Sequence, residues 1–104
     1  MSPNPERSLA IRASLALGLP FASRSNEILR PLRGEGLEKL VPKCFAVRHS
    51  VLPLYLDGDV LAVAMAHPED DATLRALRLV TRCDIQPFVA IRAELLQGVN
   101  EFYD

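Results

Sequence analysis

Val51-Leu52-Pro53-Leu54-Tyr55-Leu56-Asp57-Gly58-Asp59-Val60-Leu61-Ala62-Val63-Ala64-Met65-Ala66-His67-Pro68 reads as strand, turn, strand and the approach to a helix. Leu52, Leu54 and Leu56 alternate with Val51, Pro53 and Tyr55, the period of two that sends successive side chains to opposite faces of a strand. Asp57-Gly58 is a hairpin dipeptide, because a type I′ turn needs positive φ and glycine takes it without a Cβ clash. The return strand sets Leu61, Val63 and Met65 on one face. Ala62, Ala64 and Ala66 fall on the other, where small side chains let a second layer come close. The segment carries no reactive pattern; what it specifies is architecture.

Downstream, His67-Pro68-Glu69-Asp70-Asp71 predicts a helix start, with Pro68 at the first helical position and three carboxylates at the positive end of the helix dipole. Leu74, Leu77 and Val80/Thr81 form its inward stripe, and Arg75, Arg78 and Arg82 its outer face. Residues 84–90 predict a third strand. Pro87 cannot donate to a ladder, so an edge or a bulge is expected there. Ile91, Leu95, Val99 and Phe102 then share one face of a closing helix that ends at Tyr103.

Upstream, Glu6 to Leu17 is helix-compatible, with Leu9, Ala13 and Ala16/Leu17 on one side, and Gly18-Leu19-Pro20 ends it. Ser25 or Asn26 is a possible cap for a short turn through Leu29, which Pro31 limits. Gly34-Glu35-Gly36 reads as a loop, and Leu37, Leu40 and Val41 as a short helical stripe. Pro42 fits the first position of a helix running through Phe45 and Val47 to His49-Ser50. The expected organisation is a single domain over 1–104: a helical and loop part, 1–36, and an α-β-β-α-β-α core, 37–104. The fold class is α/β (α+β), a small three-stranded sheet with packed helices.

With 104 residues the chain can bury one modest core. No apolar run approaches the roughly 18 residues of a membrane span, and no basic start leads into a long apolar stretch. A cytoplasmic chain without direct membrane insertion is expected. Cys44 and Cys83 form neither a metal-site spacing nor a disulfide framework, and their apolar neighbours predict buried thiols. Residues 1–48 carry a net charge of plus four and residues 49–104 a net of minus five. The basic half suits an anionic partner; equally, two oppositely charged halves solvate their own faces or attract each other.

Phosphate-loop, dinucleotide, zinc-protease and nucleophile-elbow motifs are all absent. His49 and His67 have no cysteine or second histidine at ligand spacing, so no metal or other cofactor is expected. His67 fits the helix N-cap or the turn before it. Asp57, Asp59, Asp70 and Asp71 are accounted for by hairpin and helix-start chemistry. The arginines at 75, 78 and 82 have carboxylates beside them and no interleaved aromatics, which argues against nucleic acid. The reading is of a chain that is not an enzyme.

Leu40-Val41-Pro42, Phe45-Ala46-Val47-Arg48-His49, Val51-Leu52-Pro53-Leu54, Gly58 and Leu61-Ala62-Val63-Ala64-Met65-Ala66-His67-Pro68 together resemble one family. It is the N-terminal domain of the secretion ATPases of type II secretion systems and type IV pilus assembly. Thr81-Arg82-Cys83-Asp84-Ile85-Gln86-Pro87 continues the resemblance, where the family pattern is a leucine-threonine-glycine, hydrophobic, proline run, as does the terminal Phe102-Tyr103. The match covers residues 19–103 as an ordered series of short pieces.

The resemblance implies a cytoplasmic bacterial domain that precedes the ATPase and does not itself hydrolyse ATP. It implies docking on an inner-membrane platform component, through which the domain is peripheral to the membrane. An excised domain and a free-standing relative both fit. Some members bind cyclic-di-GMP through tandem Arg-Leu-Gly…Gly…Leu…Leu…Gln motifs. Here Arg12 is followed by Ala13-Ser14 and no glutamine follows until Gln86, so a cyclic-di-GMP or other small-ligand sensor is the disfavoured alternative. His67 stands where relatives carry Asp before the proline, and aspartate is the better N-cap acceptor. The expected partner-binding residues are the basic Arg24, Arg30, Arg33 and Lys39.

Overall fold

In the computed structural model of the protein the described residues are 12, 15–23, 28–31 and 36–103. The elements run α1 (Leu37–Leu40), α2 (Lys43–His49), β1 (Val51–Asp57), β2 (Val60–Met65), α3 (Asp71–Thr81), β3 (Asp84–Val89) and α4 (Arg92–Phe102). From α2 onward this is the expected α-β-β-α-β-α order, with the short α1 ahead of it. The sheet order is β1-β2-β3, with β1 and β2 antiparallel and β2 and β3 parallel. A parallel pair needs a crossover, and α3 supplies it.

The hairpin forms with its turn displaced by one residue from the expected dipeptide. Asp57 pairs with Val60, so Gly58 and Asp59 are the central pair. Only Gly58 has positive φ, at 60°. Glycine at the first central position is the requirement of a type II′ turn, not of the type I′ turn that Asp57-Gly58 suggests.

The strict alternation expected of β1 is also corrected. The register slips between Pro53 and Tyr55, leaving Leu54 as an extra residue. A bulge reverses the parity of everything beyond it. Leu52 therefore shares a face with its partner Ala64, whereas Leu56 shares the opposite face with Leu61. Val51 to Leu54 are all buried, because both faces of the sheet are covered there.

On the alanine face, α4 lies against β1: a Cβ built on Gly98 would stand 2.9 Å from Cδ2 of Leu52. Across the same face the rings of Tyr55 and Phe88 meet edge to face with centroids 6.3 Å apart, over the small Ala62 and Ala64 of the strand between them. The core draws on Leu52, Leu61, Val63, Met65, Leu77, Leu95 and Val99, all essentially without exposure. At roughly 25 cal/mol per Å² of apolar area, burial of these side chains is the main stabilising term of the fold.

Pro87 sits on an edge strand, as expected, and its backbone direction explains why it is tolerated. The amides of Asp84 and Ala90 donate back toward the hairpin, to Asp59 and Met65, while the amide of Val89 donates the other way, to Pro20. By alternation Pro87 also faces away from β2, where its missing N–H breaks no ladder bond. The Gln86 side-chain amide donates to the Pro87 carbonyl at 3.1 Å, and Phe21 bridges to Val89. Together these occupy part of an open strand edge.

Two helix boundaries differ from expectation. Pro42 is the N-cap of α2, not its first helical residue. The helix after the hairpin starts at Asp71, with Asp70 as cap and Pro68 in the preceding turn, where His67 also lies. Within α2 it is Ala46 that is buried, while Val47 is exposed. Cys44 is exposed and Cys83 half-buried, so the expectation of two buried thiols fails: the core-facing position of α2 belongs to Ala46. In α3, Thr81 is buried and bonds its hydroxyl to the Leu77 carbonyl at 2.7 Å, and Val80 is turned outward.

Of the N-terminal part, Leu15 to Leu17 are helical and exposed, and Gly18 ends the turn with φ 66°. The expected caps Ser25 and Asn26, and Leu9, Ala13, Gly34 and Glu35, lie outside the described residues.

Candidate partner-docking surface

Of the four basic residues expected to meet a partner, Arg24 and Arg33 lie outside the described residues. Arg30 and Lys39 are exposed, and each is held outward by a buried neighbour. Leu29 is buried and its amide donates to the Ser23 carbonyl, fixing the chain at Arg30. Lys39 lies in the last turn of α1 between buried Leu37 and buried Val41. Gly36 precedes this helix with φ 75°, a conformation glycine adopts freely.

The base that carries Lys39 is anchored from the far end of the chain. The Tyr103 hydroxyl donates to the carbonyl of Val41, across sixty-two positions in sequence. Burial, with Glu38 nearby as a smaller influence, pushes the Tyr103 phenol above its ordinary range, so it stays protonated and able to donate. Lys39 is thus displayed from a surface tied to α4.

A second polar region lies at the carboxyl ends of the parallel strands, where open α/β sheets take ligands. Ser50 is buried there; its carbonyl accepts from Ala66, and its hydroxyl accepts from Arg92 Nε at 3.4 Å. His67 Nδ1 stands 4.0 Å from Glu69 Oε1, both well exposed. The Asp70 carboxylate is committed to α3: one oxygen accepts from the amides of Ala72 and Thr73, the other from the Thr73 hydroxyl at 2.9 Å. The Thr73 hydroxyl bond, foremost, holds the Asp70 carboxyl below the usual carboxylate range. Both of its oxygens cap the first turn of α3.

Among the described residues no group of three or more His, Cys, Asp or Glu could hold a metal ion. No helix among them is long and apolar enough to cross a membrane.

The fold is a small mixed α/β domain in which Asp70 caps a helix and Ser50 and Tyr103 join elements. Its family is shown by comparison: the MshEN domain model matches residues 17–104, and the chain belongs to that family. The type IV pilus assembly ATPase PilB of Myxococcus xanthus (strain DK1622) is 32% identical over 65 residues, which is 62% of this chain and 12% of PilB. The structure of the N-terminal domain of XpsE superposes with a TM-score of 0.82 at 23% identity, covering 94% of this chain and 66% of that one. A structure of MshE with cdg superposes with a TM-score of 0.75 at 24% identity, covering 91% of this chain and 66% of that one. The resemblance to the N-terminal domains of type II secretion and type IV pilus ATPases therefore stands, as does the mixed α/β class. This chain corresponds to a domain of those ATPases other than their catalytic part.

Sequence reasoning placed Arg75, Arg78 and Arg82 on the outer face of α3, and all three are exposed. It did not register that Leu79 lies among them with 80% of its surface open to solvent. The signal was its helical spacing, four residues after Arg75 and three before Arg82.

Proposed function

We propose that this chain is a non-catalytic, cytoplasmic docking domain that joins a secretion or pilus machine to a platform component at the inner membrane. The single observation that supports this most is the family match over residues 17–104, together with the XpsE-like fold. Residues 1–104 act as one unit, and its membrane association is peripheral, made through the partner. Arg30 and Lys39 form the described part of the contact surface, with Arg24 and Arg33 as its remaining members. Guanidinium and ammonium groups on a rigid base steer an acidic partner surface toward them and fix its register. Nucleic acid and metal have no part in this role.

The second reading is a small-ligand sensor for cyclic-di-GMP, favoured by the likeness to MshE with cdg. The Arg-Leu-Gly motif is absent from Arg12 onward, which weighs against it. Isothermal titration of the chain with cyclic-di-GMP separates the two. The docking reading predicts no saturable heat, and saturable binding at micromolar concentration moves the assignment to the sensor. The contact surface is tested by reversing Arg30→Glu and Lys39→Glu together. Undiminished capture of the platform component by that variant eliminates this surface.

A further inference from the structure

The outer face of α3 is a separate feature from Arg30 and Lys39. Arg75, Arg78, Leu79 and Arg82 follow the i, i+3, i+4, i+7 spacing that places side chains on one side of a helix. The opposite side, with Thr73, Leu77 and Thr81, is buried against the sheet. All four outer residues are exposed, and Leu79 at 80% is the most open large apolar side chain among the described residues. None of the three arginines makes an ion pair with another described residue. The patch is thus one apolar knob framed by three unneutralised guanidinium groups.

From this we infer that the α3 face docks a short acidic protein segment, one that brings carboxylates to the arginines and one apolar side chain to Leu79. Guanidinium forks match carboxylates in a two-bond geometry, and partial desolvation by an apolar contact strengthens those bonds. The extent of the patch selects a protein over other anions. From 75 to 82 the helix rises about 10 Å at 1.5 Å per residue. Exposed carboxylates flank it in sequence: Glu69 and Asp71 before it, and Asp84 after it. A nucleic-acid strand or an anionic bilayer runs past both ends and meets those carboxylates, whereas a segment of a few turns does not. The backbone adds a second indication. Arg82 ends α3 at φ 58°, a left-handed conformation that favours glycine, so a long charged side chain is held there against local preference.

The test uses the whole chain, labelled with nitrogen-15 and titrated with a synthetic acidic amphipathic helical peptide of about three turns, carrying glutamates and one leucine on one face. The expected result is saturable amide shifts confined to residues 74–84, weakening as salt is raised. Leu79→Ser and Arg78→Glu each weaken binding about five-fold or more, and Arg82→Gly weakens it about two-fold. Native amide dispersion of each free variant confirms that it is folded, and all three positions are exposed. Shifts that do not saturate, or that fall outside this helix, overturn the inference. So does tighter binding at the same face by single-stranded DNA or by phosphatidylglycerol vesicles.

Discussion

Gly98 and Leu52 set the distance between α4 and β1: a Cβ at position 98 would stand 2.9 Å from the Leu52 Cδ2 atom. Leu52 is fully buried, so in a close-packed interior its methyl group yields only by displacing its neighbours. Alanine in mid-helix gains about 1 kcal/mol over glycine in propensity, while overpacking a filled core costs about 1–3 kcal/mol. Gly98→Ala is therefore expected to lower stability by about 1 kcal/mol, and Gly98→Val by more. Urea unfolding of the three proteins checks the order; a Gly98→Ala variant more stable than the parent contradicts the close contact.

The Tyr103 phenol gives an alkaline signature. Its folded-state pKa is raised, chiefly by burial, above that of the unfolded chain. Its contribution is fully present below the unfolded value of about 10 and is lost as pH climbs toward the folded one. Tyr103→Phe leaves the Val41 carbonyl without its donor and is expected to cost about 1–2 kcal/mol at neutral pH. It should also flatten the decline in stability above about pH 10. Equal alkaline slopes for parent and variant in thermal melts contradict this account.

Asp70 gives the acid counterpart. Its carboxyl is held below the ordinary range, mainly by the Thr73 hydroxyl. The stabilising effect is present above the unfolded pKa and fades as pH falls through the folded one. Asp70→Ala removes cap and charge and is expected to lower Tm at neutral pH. Asp70→Asn keeps an acceptor, stays closer to the parent, and loses the parent's acid dependence. Thermal melts between pH 2 and pH 7 distinguish the variants.

Arg82 closes α3 in the left-handed region at φ 58°. Glycine takes this conformation without a Cβ penalty, and a glycine follows the threonine in the pattern the sequence resembles. Arg82→Gly is expected to raise stability by up to about 1 kcal/mol, and Arg82→Ala to give no such gain. Chemical denaturation resolves the difference.

The features legible in the sequence are those set by apolar periodicity. Leu95, Val99 and Phe102 announced α4, and Leu61 to Met65 announced a strand with a small-residue face. What escaped depends on long-range geometry. The bulge at Leu54 is a property of pairing with β2, invisible in a run of alternating residues, yet it moves Leu56 to the face opposite Leu52. Gly98 reads as a weak helix residue until Leu52 is brought against it. Pro68 was a plausible helix start, but Asp70 outcompetes it by satisfying two backbone amides. The exposure of Arg30 and Lys39 followed from their charge, whereas a docking surface is defined jointly with its partner, and one chain's residues record only half of it.

The central claim is docking on a platform component. The most direct measurement is affinity capture with the tagged chain from lysate of its own host, read by mass spectrometry beside the Arg30→Glu, Lys39→Glu variant. The account predicts enrichment of an inner-membrane secretion or pilus platform protein by the parent and its loss from the variant. Absence of any such protein above background, with unrelated signalling proteins recovered instead, contradicts it.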